Sequence, residues 1–369
     1  MLESIEIKNF RCFKDTTVSK FGLVNLFGGL NNSGKTALLE AIYLAESPNT
    51  NSIGFLQFIV RKESRSFVRS SPKNAWDNWF YFQDTTQQVT LKNFYYDSKS
   101  REIILSSNKE ESYDLFDTIA NQENEEIDNN IDSIISGLKA TLYLTVKENN
   151  SNSLPIYEAR LVANTSPAAI NKKAVTGLTI DNARFIPTSL QSTQSNLARE
   201  YDEARFNGHE NAVFEAIKVI DNKFEKIETF SIGEPIIYLT RKGETKMPIG
   251  LFGDALNRVV SFVLTIINNS NSTILIDEIE NGIHYTKQAE LWEMLFKLSI
   301  EYNVQIFATS HSLEMIKAFA KVAETPEFLE NAAYFEMARH YKTGNIIATS
   351  IAIDSLKYDI ESNSPFRGE

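Results

Sequence analysis

Two kinds of hydrophobic spacing alternate along the chain. Positions 3–11 alternate apolar and polar residues with the period of two expected for a half-buried strand, and a second apolar run follows at 21–27. After a glycine pair, positions 36–45 change to helical spacing, with apolar residues three or four apart. The N-terminal part of the chain therefore predicts strand, glycine turn and helix in succession.

The same pattern divides the rest of the chain. Positions 88–105 and 140–163 are typical of β structure with Asn- and Ser-rich turns, whereas 46–75 gives no clear prediction. Farther on we predict one or two helices in 193–226, a short β pair at 227–240, a helix at 254–267, a buried strand at 272–277, a helix at 285–301, a buried strand at 304–309 and a hairpin at 332–352. Buried strands separated by helices indicate an α/β protein.

Composition places the chain among ordinary globular proteins. It has 369 residues, of which 42% are hydrophobic and 23% charged, enough for about two domains or one elaborated domain. Its one cysteine, Cys12, excludes an intramolecular disulfide. The longest nearly apolar stretch, 256–267, is too short and too polar for a bilayer span, and the N-terminus lacks a signal-peptide pattern. We therefore expect a cytoplasmic protein that does not contact a membrane.

The negative charge is concentrated in one segment. The net charge is −11, and residues 110–132 contain nine acids and no base, so the remainder carries only −2. We predict that this segment is a solvated, partly helical insertion. Bulk charge gives no support for nucleic-acid binding, but a local basic groove stays open as an alternative.

Residues 29–36 fit the phosphate-loop pattern G-x-x-x-x-G-K-[ST] completely. The glycines let successive backbone N–H groups face a phosphate, and the N-terminus of the following helix adds partial positive charge. Lys35 can reach the β- and γ-phosphates, and the Thr36 hydroxyl can ligate Mg²⁺. The residues expected to contact a nucleotide here are Gly29, Asn31, Asn32, Ser33, Gly34, Lys35, Thr36 and Ala37.

Two later apolar strands end in polar side chains. Strand 272–277 ends in Asp277 and Glu278, which fit a Mg²⁺ ligand and the base that activates the attacking water. Strand 304–309 leads to His311, which can sense the γ-phosphate. The alternatives are solvated acids at a strand end and a structural histidine. His284 either faces a second protomer or shapes its turn.

At this point the sequence resembles the ABC-type ATPases. Within them it is similar to the RecF/SMC-related branch, and most similar to the prokaryotic AAA15 and OLD-like ATPases. The resemblance rests on four stretches: the opening strand and its Asn-Phe-Arg turn at 5–13, the phosphate loop with the following 38–42, the Asp-Glu strand with its continuation at 277–284, and Ala-Thr-Ser-His-Ser at 308–312.

The resemblance implies an α/β P-loop head with a mixed central sheet, an antiparallel β lobe and a short helical lid. It implies ATP and Mg²⁺ as ligands, with Lys35, Glu278 and His311 catalytic and Arg11 among the nucleotide contacts. It further implies that a signature segment caps the γ-phosphate of the opposite protomer, and the residues that match are Gly253, Asp254 and Arg258. This segment departs from the transporter signature at Phe252 and Ala255, and the glutamine of the family's Q-loop has only Gln57 as a weak candidate.

The domain boundaries follow from these motifs. We expect the N-terminal part of the head with phosphate loop and β lobe at 1–105, and an insertion with the acidic segment, β strands and helical lid at 106–240. The C-terminal part of the head, with signature, acidic strand and switch histidine, then occupies 241–369.

Several functions agree with these motifs. The favoured hypothesis is a nucleotide-driven oligomeric switch that pairs with itself and holds a separately encoded effector, such as a Toprim-like nuclease, in antiphage defence of the PARIS type. About 57 residues follow Ser312, which is too few for an appended Toprim domain. DNA or a phage protein is the expected trigger. The alternatives are a RecF-like DNA-binding ATPase of DNA repair or maintenance, a transporter motor and a non-hydrolysing scaffold.

Overall fold

The computed structural model describes residues 1–110, 139–148, 154–165, 169–177, 179–188 and 193–361. Its strands are β1 Leu2–Phe10, β2 Phe13–Ser19, β3 Val24–Gly28, β4 Val89–Tyr95, β5 Ser100–Glu110, β6 Lys139–Glu148, β7 Tyr157–Ala163, β8 Ile170–Gly177, β9 Ala183–Ile186, β10 Phe224–Ile232, β11 Glu234–Arg241, β12 Met247–Pro248, β13 Thr273–Ile276, β14 Gln305–Thr309, β15 Ala332–Arg339 and β16 Ile346–Ile351. Its α-helices are α1 Lys35–Glu46, α2 Thr50–Phe55, α3 Arg65–Ser70, α4 Gln194–Phe206, α5 Glu210–Ile220, α6 Asp254–Ile267, α7 Gln288–Tyr302, α8 Leu313–Ala323 and α9 Ile353–Glu361.

A six-stranded mixed sheet carries the predicted chemistry. Its order is β16-β15-β3-β14-β13-β9, and every neighbouring pair is parallel except β15 and β16. Strands β3, β13 and β14 are buried at every position, which explains their continuous apolar sequences. Because they are parallel, their carboxyl ends meet at one edge, and the phosphate loop, Asp277 and Thr309 come together there.

A second sheet is antiparallel and has seven strands in the order β2-β1-β4-β5-β6-β7-β8. The alternation of β1 is typical of its strands, since Leu2, Ile5, Ile7 and Phe10 are buried and polar residues lie between them. Helix α1 packs between this sheet and the central sheet, with Leu38, Ile42 and their neighbours in the shared core. The phosphate loop is thereby fixed to a helix that is buried on both sides.

The other face of the central sheet is covered by helices. Helices α6, α7 and α8 pack on it through a second hydrophobic core, which also takes in α4, α5 and the three-stranded sheet β10-β11-β12. The described α4, α5 and β10–β12 correspond to the predicted helical lid and the short β pair. The mixed central sheet, antiparallel lobe and covering helices give the α/β architecture predicted from the sequence.

The expected domain boundary between residues 105 and 106 does not coincide with the end of a strand. It falls inside β5, which pairs with β4 on one side and β6 on the other. Strands β6–β8, expected in an insertion, therefore complete the N-terminal sheet, and β9 joins the central sheet. The expected boundary between 240 and 241 likewise falls within β11. Pairing between distant segments, rather than local composition, decides which strands belong together.

Most of the acidic segment 110–132 lies outside the described residues, and only the backbone of Glu110 is described, at the end of β5. Among the residues that the structure describes, no helix is long and apolar enough to cross a membrane.

Candidate functional site

The phosphate loop joins β3 to α1 in a conformation that needs its glycines. Gly29 has φ 127° and Gly34 has φ 91°, both in the region that favours glycine. A Cβ on Gly29 would lie 2.2 Å from the Met337 carbonyl oxygen, so no other residue fits. Gly34 precedes α1 and no side chain caps the helix there. The first N–H groups of α1 are therefore available to an anion.

Lys35 lies across this loop. Its Nζ donates to the carbonyl oxygens of Gly29 at 2.7 Å and Leu30 at 2.8 Å. Burial lowers the pKa of Lys35, and the Glu280 carboxylate acts in the opposite direction. The ammonium group is thus held in the loop that would surround a phosphate.

Asp277 is held by three hydroxyl groups from three parts of the chain. Oδ1 accepts from Thr309 at 2.8 Å and from Thr36 at 3.1 Å, and Oδ2 accepts from Thr188 at 3.2 Å. Burial raises the pKa of Asp277, because a carboxylate loses hydration there.

These oxygens fit a magnesium ion. Mg²⁺ is usually held by one or two carboxylates together with substrate phosphates and water rather than by a full protein cage. Asp277 and the Thr36 hydroxyl supply hard oxygen ligands beside the phosphate loop. Among the described residues no cluster of three or more His, Cys, Asp or Glu side chains is placed to hold a metal ion.

Glu278 is placed by its backbone and by one amide. Its φ is 48°, an uncommon value for a non-glycine residue, and its N–H donates to Thr309 Oγ1 at 2.9 Å. Asn281 Nδ2 donates to Glu278 Oε2 at 2.8 Å, and no positive group forms an ion pair with this carboxylate among the described residues. Glu278 lines the same cavity as Lys35, so its carboxylate can act on a water beside a bound phosphate.

His311 is oriented by Glu280. Both its backbone N–H, at 2.8 Å, and its ring Nδ1, at 2.9 Å, contact Glu280 Oε1. Glu280 is 9% exposed and His311 is 44% exposed, so a buried carboxylate holds a ring that reaches the cavity. With Nδ1 engaged by the carboxylate, the other ring nitrogen is left to face a ligand.

These residues line one cavity of about 650 Å³. Of the predicted site, it brings together Arg11, Asn31, Asn32, Ser33, Gly34, Lys35, Thr36, Ala37, Asp277, Glu278 and His311. The loop 80–83, Arg61 and Arg339 also line it. This volume is within the range typical of small-ligand pockets.

The signature segment lies elsewhere. Asp254 and Arg258 line a separate cavity of about 350 Å³, and Gly253 begins α6 with φ 90°. No atom of the described residues lies within 4 Å of the position that a Cβ on Gly253 would take. This segment therefore does not contribute to the cavity of its own phosphate loop.

Arg258 was predicted to contact a nucleotide across an interface, and its described hydrogen bonds lie within its own protomer. Its Nη2 donates to the carbonyl oxygens of Asp277 and Glu278, both at 2.8 Å. In these contacts the side chain supports the acidic strand end of its own protomer, and its role toward a γ-phosphate across an interface stays a prediction. Sequence spacing could not show this, because the direction depends on how α6 packs against β13.

Gln57 and His284 both make contacts within the fold. Gln57 is fully buried and its Nε2 donates to Glu63 and the Ala75 carbonyl, so its described contacts are structural ones. His284 caps a short helical turn, and its Nδ1 accepts from the Thr286 N–H at 3.4 Å. Of the two alternatives for His284, the described contacts favour shaping the turn.

Sequence reasoning missed the residues that hold the site together. Thr188, Thr309 and Glu280 all bond to predicted site residues, and two of them lie within the quoted motifs. A polar residue at the end of an otherwise apolar strand was the available signal for Thr309. No comparable signal marks Thr188 in the sequence, because its contact with Asp277 depends on the pairing of β9 with β13.

A phosphate loop and an acidic strand end at the carboxyl ends of parallel strands, with a histidine lining the same cavity, define a P-loop nucleoside triphosphatase. Residues 24–317 match the family described as "AAA domain, putative AbiEii toxin, Type IV TA system". The match spans most of the chain, and the chain belongs to this AAA-domain family. Its family and the residues of its site together identify it as an ATP-hydrolysing enzyme.

Comparison with individual proteins agrees with the family. The chain is 26% identical over 369 aligned positions to an ATP/GTP phosphatase of Helicobacter pylori, covering 91% of this chain and 92% of that protein. It is 39% identical over 59 residues to the uncharacterized protein MJECL10 of Methanocaldococcus jannaschii, covering 16% of this chain and 26% of that protein. Among solved structures, the SMC head bound to the C-winged helix domain of ScpA has a TM-score of 0.50 at 10% identity, covering 95% and 97% of the two chains. That similarity confirms the predicted head fold.

Proposed function

We propose that the protein is an ATP-driven switch whose paired heads hold or control a separate effector in prokaryotic antiphage defence. The observation that carries the proposal is the separation of two half-sites. The cavity of Lys35 and Glu278 lacks Gly253 and Asp254, and these lie on another part of the surface. A second copy of the chain would complete each site, so that nucleotide binding and oligomer geometry would be coupled.

The hydrolytic chemistry follows from the contacts. The loop N–H groups and Lys35 bind the phosphates, and Asp277 with Thr36 would hold Mg²⁺, which supplies charge compensation when bound. Glu278 accepts a proton from the attacking water, with Asn281 fixing the carboxylate. His311 donates toward the γ-phosphate from a ring held by Glu280. The name of the Helicobacter pylori relative supports triphosphatase activity with ATP and GTP.

The role in defence has separate support. The family description refers to a toxin of a type IV toxin–antitoxin system. Leu251 and Tyr285 lie beside the signature segment and the turn after β13, and they are 72% and 66% exposed. Their exposure leaves both side chains accessible to a second protomer. We infer that this face pairs with a second protomer and that the effector binds the assembled heads.

The coupling is tested with Glu278→Gln, which should bind ATP and hydrolyse it orders of magnitude more slowly than the parent protein. Light scattering after gel filtration should show a larger oligomer with ATP than without it. Lys35→Ala is the matched control, since it should lose ATP binding and remain in the nucleotide-free state. An oligomer that is the same size with and without ATP, in protein that binds ATP, would contradict the switch.

The effector is tested by affinity purification of tagged Glu278→Gln from its native host in the presence of ATP. A stoichiometric protein that is absent from the Lys35→Ala sample supports the proposal. Recovery of nucleic acid instead, with salt-dependent affinity for duplex DNA, would favour the RecF-like alternative.

A further inference from the structure

An exposed aromatic ring lies at the nucleotide cavity. Tyr81–Gln83 forms a short helical turn that lines the same cavity as Lys35. Phe82 is 83% exposed, and its ring centroid is 4.3 Å from that of the half-buried Tyr81. This large apolar ring is exposed at the wall of a polar cavity, where a bound ligand could cover it.

The backbone holds this ring in an uncommon conformation. Phe82 has φ 50° and ψ 25°, and Gln83 also has a positive φ of 61°. Two successive left-handed residues are unfavourable, most of all for a bulky side chain, and such strain persists where neighbouring contacts impose it. Here the Gln83 N–H donates to Phe80 O at 3.0 Å and Gln83 Nε2 donates to Asn78 Oδ1 at 3.1 Å.

Arg11 links this turn to the phosphate loop. Its N–H donates to Trp79 O at 3.1 Å, its Nη1 donates to Asn78 O at 2.8 Å, and its guanidinium lies over the Trp79 ring at 4.6 Å. The next residue, Cys12, has its Sγ 3.2 Å from where a Cβ on Gly34 would stand. Arg11 thus holds the turn, and the residue that follows it lies close to Gly34 of the phosphate loop.

We propose that Phe82 is the platform on which the nucleotide's base stacks, and that Arg11 is a positioning residue for it. This rests on the proposed binding of a nucleoside triphosphate in the cavity. Every base offers a π face, so stacking alone binds adenine and guanine alike. The Asn78 amide is already committed to Gln83 and Glu63 and is not available to read a base edge. Stacking on Phe82 would therefore give little preference between ATP and GTP.

The test compares ligands with and without a base. Dissociation constants for ATP, GTP and inorganic tripolyphosphate are measured by calorimetry with Mg²⁺ on Glu278→Gln, alone and combined with Phe82→Ala. We expect Phe82→Ala to weaken ATP and GTP by roughly tenfold each, the scale of aromatic–base stacking, and to leave tripolyphosphate unchanged. Phe82→Trp should restore ATP and GTP affinity.

Matched controls separate the platform from general damage. Phe206 on α4 is 92% exposed and is not among the described residues that line the cavity. Phe206→Ala should therefore leave all three affinities unchanged. Phe82→Gly removes both the ring and the left-handed strain, and its melting temperature should not fall although nucleotide affinity does. Equal loss of ATP and tripolyphosphate, or no loss of either, overturns the platform. Failure of Glu278→Gln itself to bind ATP would instead overturn the proposed function.

Discussion

The hydroxyl of Thr309 connects the two acidic residues of the site. It donates to Asp277 Oδ1 at 2.8 Å and accepts from the Glu278 N–H at 2.9 Å. Thr309 itself is fully buried at the end of β14. One side chain on a neighbouring strand therefore contacts both the proposed Mg²⁺ ligand, Asp277, and the backbone of the proposed catalytic base, Glu278.

Thr309→Val tests this connection, because valine keeps the shape and removes the hydroxyl. The Glu278 N–H then loses its acceptor and Asp277 loses a donor, and we expect the free energy of unfolding to fall by about 1–3 kcal/mol. ATP turnover should fall with it. Thr309→Ser keeps the hydroxyl and should retain most of the stability and most of the ATP turnover. Urea unfolding of the nucleotide-free protein measures the first effect, and stability of Thr309→Val equal to the parent would contradict it.

Glu280 gives a second test, since the side-chain contacts described for it are to the backbone N–H and the ring of His311. Glu280→Ala releases the ring and should lower kcat by about tenfold to a hundredfold with little change in KM. Glu280→Gln should cost less, because its amide oxygen can still accept from the backbone N–H and the ring.

The control is a double-mutant cycle. In a His311→Ala background, Glu280→Ala should lower kcat no further, because residues that act as a unit are not additive. Additive losses would show that Glu280 acts on the site independently of His311.

Local signals were enough to predict the chemistry. The phosphate loop needs a fixed spacing within eight residues, and β13 and β14 are buried at every position, so their sequences are distinct from their surroundings. Asp277 and Glu278 follow such a strand directly. For these residues, the partners that form the motif lie within a few positions of one another in the sequence.

Contacts between distant segments were not predictable in the same way. The membership of β6–β8 in the N-terminal sheet depends on pairing between strands, which composition does not encode. Region 46–75 has no clear period because it consists of short helices whose ends are set by local caps, such as Asn49 accepting from the Ser52 N–H. The direction of Arg258 and the contact of Thr188 depend on packing in the same way.

A prediction on pH concerns Glu200 on α4. Burial, reinforced by the neighbouring Glu203, raises the pKa of Glu200 above its ordinary value. The folded state therefore binds this proton more tightly than the unfolded state, and ionisation of Glu200 costs stability as the pH rises through the folded pKa. Glu200→Gln should raise the melting temperature at pH 8.

That gain should disappear below about pH 4, where Glu200 is largely protonated in both states. Glu203 is exposed, so Glu203→Gln removes only the neighbouring charge and should give a smaller gain. A gain from Glu200→Gln that is equal at pH 8 and pH 4 would mean that ionisation of this carboxyl does not limit stability.

Arg258 provides a test between action within a protomer and action across an interface. Its two hydrogen bonds hold the carbonyls of Asp277 and Glu278, and its guanidinium lies 5.3 Å from the Phe262 ring. If it acts within its own protomer, Arg258→Met should lower the free energy of unfolding by about 2 kcal/mol in nucleotide-free monomer. Turnover should fall because Glu278 loses support for its left-handed backbone.

Asp254→Asn is the matched control for Arg258→Met. Asp254 is exposed in the first turn of the same helix and forms no ion pair among the described residues. Asp254→Asn should leave monomer stability nearly unchanged, so a large fall in its stability would point to general sensitivity of α6.

If Arg258→Met instead unfolds like the parent as a monomer and fails only in ATP-dependent pairing, then the guanidinium acts on the partner's nucleotide, as the signature motif implied. Chemical unfolding without nucleotide and light scattering with ATP, on the same three proteins, separate these outcomes.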